Sequence, residues 1–188
     1  MDNLKYLEHV VELGKVQAAT TPEEMSGAFD AFNGFLGLYY DLAKMELQKA
    51  GIDTPPIRNF AIDKALGRND ARLGSADFTI PALIRMLREH RGTRLNEEQA
   101  QKIEQSLIHF KYWLDEPGDV HACFFTENHQ ILYHSAEYLV GQMYPDVVFP
   151  NNGMTGAEHH AHATAFLRRW LNWRERLQRM ADSGILHG

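Results

Sequence analysis

Cysteine is nearly absent: Cys123 is the single thiol in 188 residues. One thiol cannot close an internal disulfide, so any stable fold must come from packing, and the composition suits a reducing compartment. No apolar run approaches the ~20 residues that a bilayer-spanning helix needs. The start of the chain, Met1-Asp-Asn-Leu-Lys-Tyr-Leu-Glu-His9, lacks the basic and apolar regions of a signal peptide. These absences lead to the expectation of a cytoplasmic chain with no membrane partner. Basic excess is missing too: 19 Lys and Arg stand against 25 Asp and Glu, a net charge of −6. That balance argues against broad electrostatic binding to nucleic acid. A Gly-rich phosphate loop, a His-Glu-x-x-His motif and a paired set of strands are not found.

What is present is helical punctuation over one domain's worth of residues, with 44% apolar content, enough for a core. Leu4, Leu7, Val11 and Gly14 mark one face of a first helix. Thr21-Pro22-Glu23-Glu24 reads as a helix start, followed by Met25, Phe29, Phe32, Leu36, Tyr39, Ala43 and Leu47 at steps of three or four, and Gly51 as the stop. Gly27, Gly34 and Gly37 inside that run predict close approach by a neighbouring helix. A short helix is expected near Asn59–Leu66. Another is expected from Asp77 to Arg91, with Pro81 in its first turn and Gly92 after its end. Asn96 and Gln99 open a helix whose stripe Ile103, Leu107, Phe110, Leu114 runs to Pro117-Gly118. Residues 119–126 read as extended without a partner strand. Thr155-Gly-Ala-Glu158 is a capping box for a last helix carrying Phe166, Trp170, Trp173, Leu177 and Met180. The fold expected is all-α, built of antiparallel helical hairpins in a single domain over 1–188, as part of an (α/α) toroid or an irregular bundle.

The densest chemistry lies where an aromatic, extended segment turns into a helix at Thr126-Glu127-Asn128-His129. The first turn of a helix has free N–H groups. An acid, an amide and an imidazole there suit proton transfer or anion binding, and they equally suit ordinary capping. Phe124, Phe125, Tyr112 and Trp113 place aromatic planes close by in sequence. Sugar and uronate sites combine such planes with carboxylate acid–base groups. Further along the helix, His134 and Glu137 stand three apart, which reads either as site residues or as an i,i+3 pair on a solvated face. His159, His160 and His162 suggest metal ligation, but local spacing provides no third ligand beside His159 and His162, and Glu158 is used by the capping box. No metal and no cofactor are expected on that ground.

The string Phe110-Lys-Tyr-Trp, Asp115-Glu-Pro-Gly, Thr126-Glu-Asn-His-Gln-Ile-Leu-Tyr-His-Ser-Ala-Glu-Tyr-Leu, Gly141-Gln and Phe149-Pro-Asn-Asn-Gly-Met-Thr-Gly156 resembles a family of largely uncharacterised bacterial proteins. That family is itself similar to the six-hairpin (α/α) toroids of glycosidases and polysaccharide lyases. The resemblance spans roughly residues 74–175. Family members are longer, and Arg176 to Gly188 departs from their aromatic continuation, so the resemblance implies a fragment or shortened relative, with oligomers completing a partial toroid. It also implies a glycan as substrate. Glu127 would be the general acid or base, His129 and His134 would complete the catalytic group, and Asn128 would hold a hydroxyl or carboxylate. Tyr112 and Trp113 would line the sugar subsite, and Asp115 is the nearby second carboxylate. Hydrolysis and elimination both fit. The competing reading is a non-catalytic helical module.

Overall fold

The computed structural model describes residues 3–19, 30–57, 59–74, 76–119 and 121–183, with side chains placed from 3–12 and from 37 onward within those spans. Among these residues there are seven helices: α1 (Asn3–Ala19), α2 (Asp30–Lys49), α3 (Phe60–Asp70), α4 (Ala76–His90), α5 (Glu97–Ile108), α6 (Glu127–Met143) and α7 (Gly156–Asp182). Extended pairing is confined to isolated bridges such as Leu73 with His121. The fold is all-α. No helix of the described residues is long and apolar enough to cross a membrane. The expected helix start at Thr21, with Met25, Gly27 and Phe29, lies outside the described residues, as do the side chains of Phe32, Gly34 and Leu36.

The chain divides into two compact units, one of residues 1–110 with 119–123 and one of residues 111–118 with 124–188. In the first, Val11 of α1 is buried with Tyr40, Ala43 and Leu47 of α2. Gly37 lets α2 approach α3 closely: a Cβ there would lie 3.3 Å from Ala61 Cβ. Lys44 is buried, ion-paired with Asp41, and donates to the Pro56 carbonyl at 2.9 Å. That bond ties down the connector between α2 and α3. Ser106 Oγ donates to Asp70 Oδ1 at 2.7 Å, joining α5 to α3.

Two boundaries differ from the sequence reading. Helix α4 begins at Ala76, so Pro81 sits inside it, beyond the first turn. Helix α5 ends at Ile108, so Phe110 and Leu114 are not on its stripe. Glu116 Oε1 accepts the backbone N–H groups of Tyr112 at 2.7 Å and Trp113 at 3.1 Å, which takes them away from any helical ladder. Asn96 caps α5 by accepting from Gln99 N at 2.9 Å, as its side chain predicts.

In the second unit α6 and α7 form an antiparallel hairpin. Glu127 meets Trp170, His134 stacks on Phe166, Glu137 meets His159 and His162, and Tyr138 packs on His160. The partner positions on α7 thus run backwards as α6 advances. Gly141 makes the close approach possible: a Cβ there would fall 2.5 Å from the Gly156 carbonyl and 2.7 Å from His160 N. The connecting loop is held by Phe149 N to Met154 O at 2.8 Å and by Gly153 at φ +76°. The Thr155–Glu158 capping box opens α7. Thr126 occupies the N-cap position of α6 but makes no side-chain cap bond; its hydroxyl donates to Asn128 Oδ1 at 2.6 Å instead.

Candidate functional site

The polar centre of the second unit is Glu137. It lies on the α6 face turned toward α7 and is 1% exposed. Burying a carboxylate is unfavourable unless donors surround it, and here three imidazoles do. His134 Nδ1 lies 3.2 Å from Oε2, while His159 Nδ1 and His162 Nδ1 lie 2.9 and 2.8 Å from Oε1. Burial alone would raise its pKa. The hydrogen bonds from His134 and His159, with the charge of His162, outweigh burial and hold the carboxyl at about 2. Glu137 is therefore a fixed anion that orients three rings.

The three histidines differ in what their other nitrogen meets. His159 is buried, with Nε2 3.2 Å from Asn152 Oδ1, and its ring is stacked on Phe149 at 4.5 Å. His134 is fully buried between Phe166, at 3.7 Å between ring centroids, and Trp113, at 4.3 Å. Its Nε2 has no hydrogen-bond partner. His162 is 34% exposed, and its Nε2 lies 3.2 Å from Asp115 Oδ2, itself 60% exposed. Partial burial acts to lower the His162 pKa. The Glu137 charge and hydrogen bond, with Asp115 beside it, outweigh that and raise it above the ordinary histidine value. Both ring nitrogens of His162 face carboxylates, which suits the imidazolium.

Glu116 lies next to this centre. Burial pushes its carboxyl upward, opposed by donors from Asn151 at 2.7 Å and from the Tyr112 and Trp113 amides. The ladder from solvent inward is thus Asp115, His162, Glu137, then His134 and His159. Such a chain can pass a proton between the surface and a buried anion, or it can lend its nitrogens and oxygens to a cation.

The residues singled out in the sequence do not all meet here. Glu127 is 44% exposed and accepts from Trp170 Nε1 at 3.0 Å and Arg174 Nε at 3.2 Å. It lies ten residues before Glu137 on the same helix, roughly 15 Å along the axis. His129 is half-buried in the first turn, and Asn128 is exposed with its carbonyl oxygen taken by Thr126. Tyr112 is fully buried, its ring edge toward His159 at 6.1 Å. It sits at the Glu137 end of the hairpin, away from Glu127. Trp113 is half-buried and packs on Phe124 and Phe166. His134, Asp115 and Trp113 are brought together with Glu137. The solvated-face reading of His134 and Glu137 does not hold, because both are buried.

Sequence reasoning did not single out Glu116, Asn151 and Asn152. Asp115-Glu-Pro-Gly and Pro-Asn-Asn-Gly are polar turn sequences whose side chains usually point to water. It also found no third ligand for His159 and His162. The structure supplies carboxylates from α6 and from the 111–118 loop, 22 residues or more away in sequence. No family model matches the chain, and no curated protein and no solved structure is significantly similar to it.

Proposed function

We propose that the second unit performs acid–base chemistry on a glycan, of the glycoside hydrolase or polysaccharide lyase kind. The observation that carries this reading is the partly exposed His162 held between a buried carboxylate, Glu137, and an exposed one, Asp115. A histidine whose inner nitrogen is fixed by a buried anion presents its outer nitrogen in one orientation. Asp115 and His162 are the groups placed to exchange a proton with a bound substrate, and Glu137 orients His162 from behind.

The choice of a glycan is supported by the motif string and by the outer face of α7. Beyond His162 that helix carries Trp170, Arg174 and the exposed Trp173, with Arg174 over the rings of both tryptophans at 5.4 and 5.7 Å. Aromatic planes bind the apolar faces of sugar rings, and arginines bind uronate carboxylates. Glu127 flanks the same face from α6. On this reading Glu127 binds sugar hydroxyls, and in a hydrolysis the His162 imidazolium is the acid and the Asp115 carboxylate the base that activates water. In an elimination His162 is the base. The helical hairpin is the repeating element of the toroid that the motif string implies, in a cytoplasmic protein.

The test is turnover by the complete protein on a panel of neutral and uronate-containing polysaccharides. Asp115→Asn and His162→Gln should each lower the rate by about 10²–10⁴-fold, and in Asp115→Asn the melting temperature should stay near that of the parent. Wild-type turnover in Asp115→Asn, or neither binding nor turnover of any glycan in the panel, would overturn the reading. The alternative of a non-catalytic module is favoured at one place, the start of α6. There Glu127 is held by Trp170 and Arg174 in the manner of a structural pair.

A further inference from the structure

We propose that His134, Glu137 and His162 form a binding site for one divalent transition-metal ion of the zinc type. The site shares His162 and Glu137 with the acid–base reading but does not depend on turnover: an ion there would take the place of the proton between His162 Nδ1 and Glu137.

One ligand atom from each of these three side chains lies within 4.8 Å of the other two. Zinc–donor bonds of about 2.0–2.2 Å would close that span with about an ångström of side-chain movement. Two imidazoles and one carboxylate are a donor set that zinc, cobalt and iron accept, whereas magnesium and calcium ask for oxygen ligands. The surroundings have the features such a site needs. His162 is 34% exposed and gives an ion a way in from solvent. Its Nδ1 faces Glu137 and its Nε2 faces Asp115. A metal-ligating histidine commonly directs its other nitrogen to a carboxylate in this way. The other nitrogen of the His134 ring, Nε2, is buried and has no hydrogen-bond partner that would hold the ring in a competing orientation. The nitrogen of His134 on the Glu137 side is Nδ1, 3.2 Å from Oε2, and it is the one placed to share an ion with that carboxylate.

Two other clusters fit less well. Glu116, Glu137 and His159 also bring ligand atoms within 4.8 Å and are all buried. There Glu116 is already filled by two backbone amides and Asn151, and His159 is held between Glu137 and Asn152. In the first unit, Glu46, Glu89 and His90 form a third group. Its carboxylates are neutralised by Arg85 and Lys49. Of the three groups, the His134 group is the one that offers two imidazoles with one carboxylate, and it is open to solvent at His162.

The experiment is titration of the full chain, stripped with chelator, with Zn²⁺ by calorimetry and with Co²⁺ by visible absorption. One equivalent of each should bind, with Co²⁺ showing the intensified bands of a low-coordinate site, and excess Mg²⁺ should not displace it. His162→Ala should weaken binding by about 10²-fold or more. His160→Ala should bind as the parent does, since His160 packs on Tyr138 and is outside the cluster. Equal affinity in parent and His162→Ala, or a Co²⁺ spectrum unchanged from that of the aqueous ion, would overturn the proposal. If His162→Ala does not fold, the ring resonances of the parent decide. His134 and His162 should shift on adding one equivalent of Zn²⁺ while His160 does not, and the opposite pattern would reject the site. Because no glycan enters these measurements, their failure is distinct from failure of the catalytic reading.

Discussion

Glu137 Oε1 accepts from both His159 and His162, at 2.9 and 2.8 Å, although the two histidines lie on α7 and the acid lies on α6. Their positions, three residues apart on one face of α7, make this sharing possible. One buried oxygen therefore fixes two imidazoles and couples the two helices through charge as well as through packing.

Glu137→Gln should be among the most damaging single changes in the second unit. The amide keeps the shape but removes the charge and places N–H groups against imidazole N–H groups. Losing one partner of a buried ionic cluster costs about 3–5 kcal/mol. Urea denaturation followed by circular dichroism measures it. A loss under ~1 kcal/mol would mean that the histidines do not depend on the carboxylate.

Glu127→Gln should be mild. Glu127 is 44% exposed and its partner Arg174 is 49% exposed, so solvent screens the pair, and such pairs are worth about 0–1 kcal/mol. Stability within ~1 kcal/mol of the parent is expected by the same denaturation assay. If turnover of a glycan disappears in this variant while the fold stays intact, catalysis is centred on the α6 N-terminus instead of His162.

Gly141→Ala tests the closeness of the hairpin. The new Cβ would meet the Gly156 carbonyl at 2.5 Å and His160 N at 2.7 Å, both backbone atoms. Backbone cannot step aside as a flexible side chain can, so the helices must separate. Overpacking of this kind costs about 1–3 kcal/mol, read from a thermal melt. An unchanged melting temperature would show that α6 and α7 are further apart than described.

The capping box gives a pH signature. Backbone and hydroxyl hydrogen bonds from Thr155 hold the Glu158 carboxyl below its ordinary value of 4.5. A carboxyl whose folded pKa is depressed adds stability above its unfolded pKa and loses it as pH falls through the folded value. Thr155→Ala should cost about 0.5–2 kcal/mol. The gap in melting temperature between the parent and Glu158→Gln should narrow as pH is lowered from 6 toward 3. A gap independent of pH would mean that the box does not involve the ionised acid.

Much of the local structure was legible in the sequence because its causes are local. Asn96 caps α5, Gly92 at φ +72° follows α4, and Thr155 with Glu158 opens α7. Each needs only neighbours within four residues. The apolar periodicity of α4, with Ile80, Leu83, Ile84 and Leu87 all buried, likewise needs no knowledge of the partner. The end of α5 was not legible, because the apolar spacing runs on through Phe110 and Leu114 while the last helical residue is Ile108.

The sequence by itself determined that the chain is helical, where most described helices start, and that polar chemistry gathers on α6 and at the start of α7. Helical spacing puts His134 and Glu137 on one stripe whether that stripe faces water or another helix. Only the tertiary structure decided between these. The glycine contact at Gly141 brings α7 close enough to bury Glu137 and to deliver His159 and His162 to it. A buried carboxylate needs donors, and the donors it found are 22 and 25 residues away. Spacing rules reach only one turn or two, so a centre assembled across a hairpin becomes visible only when the hairpin has closed.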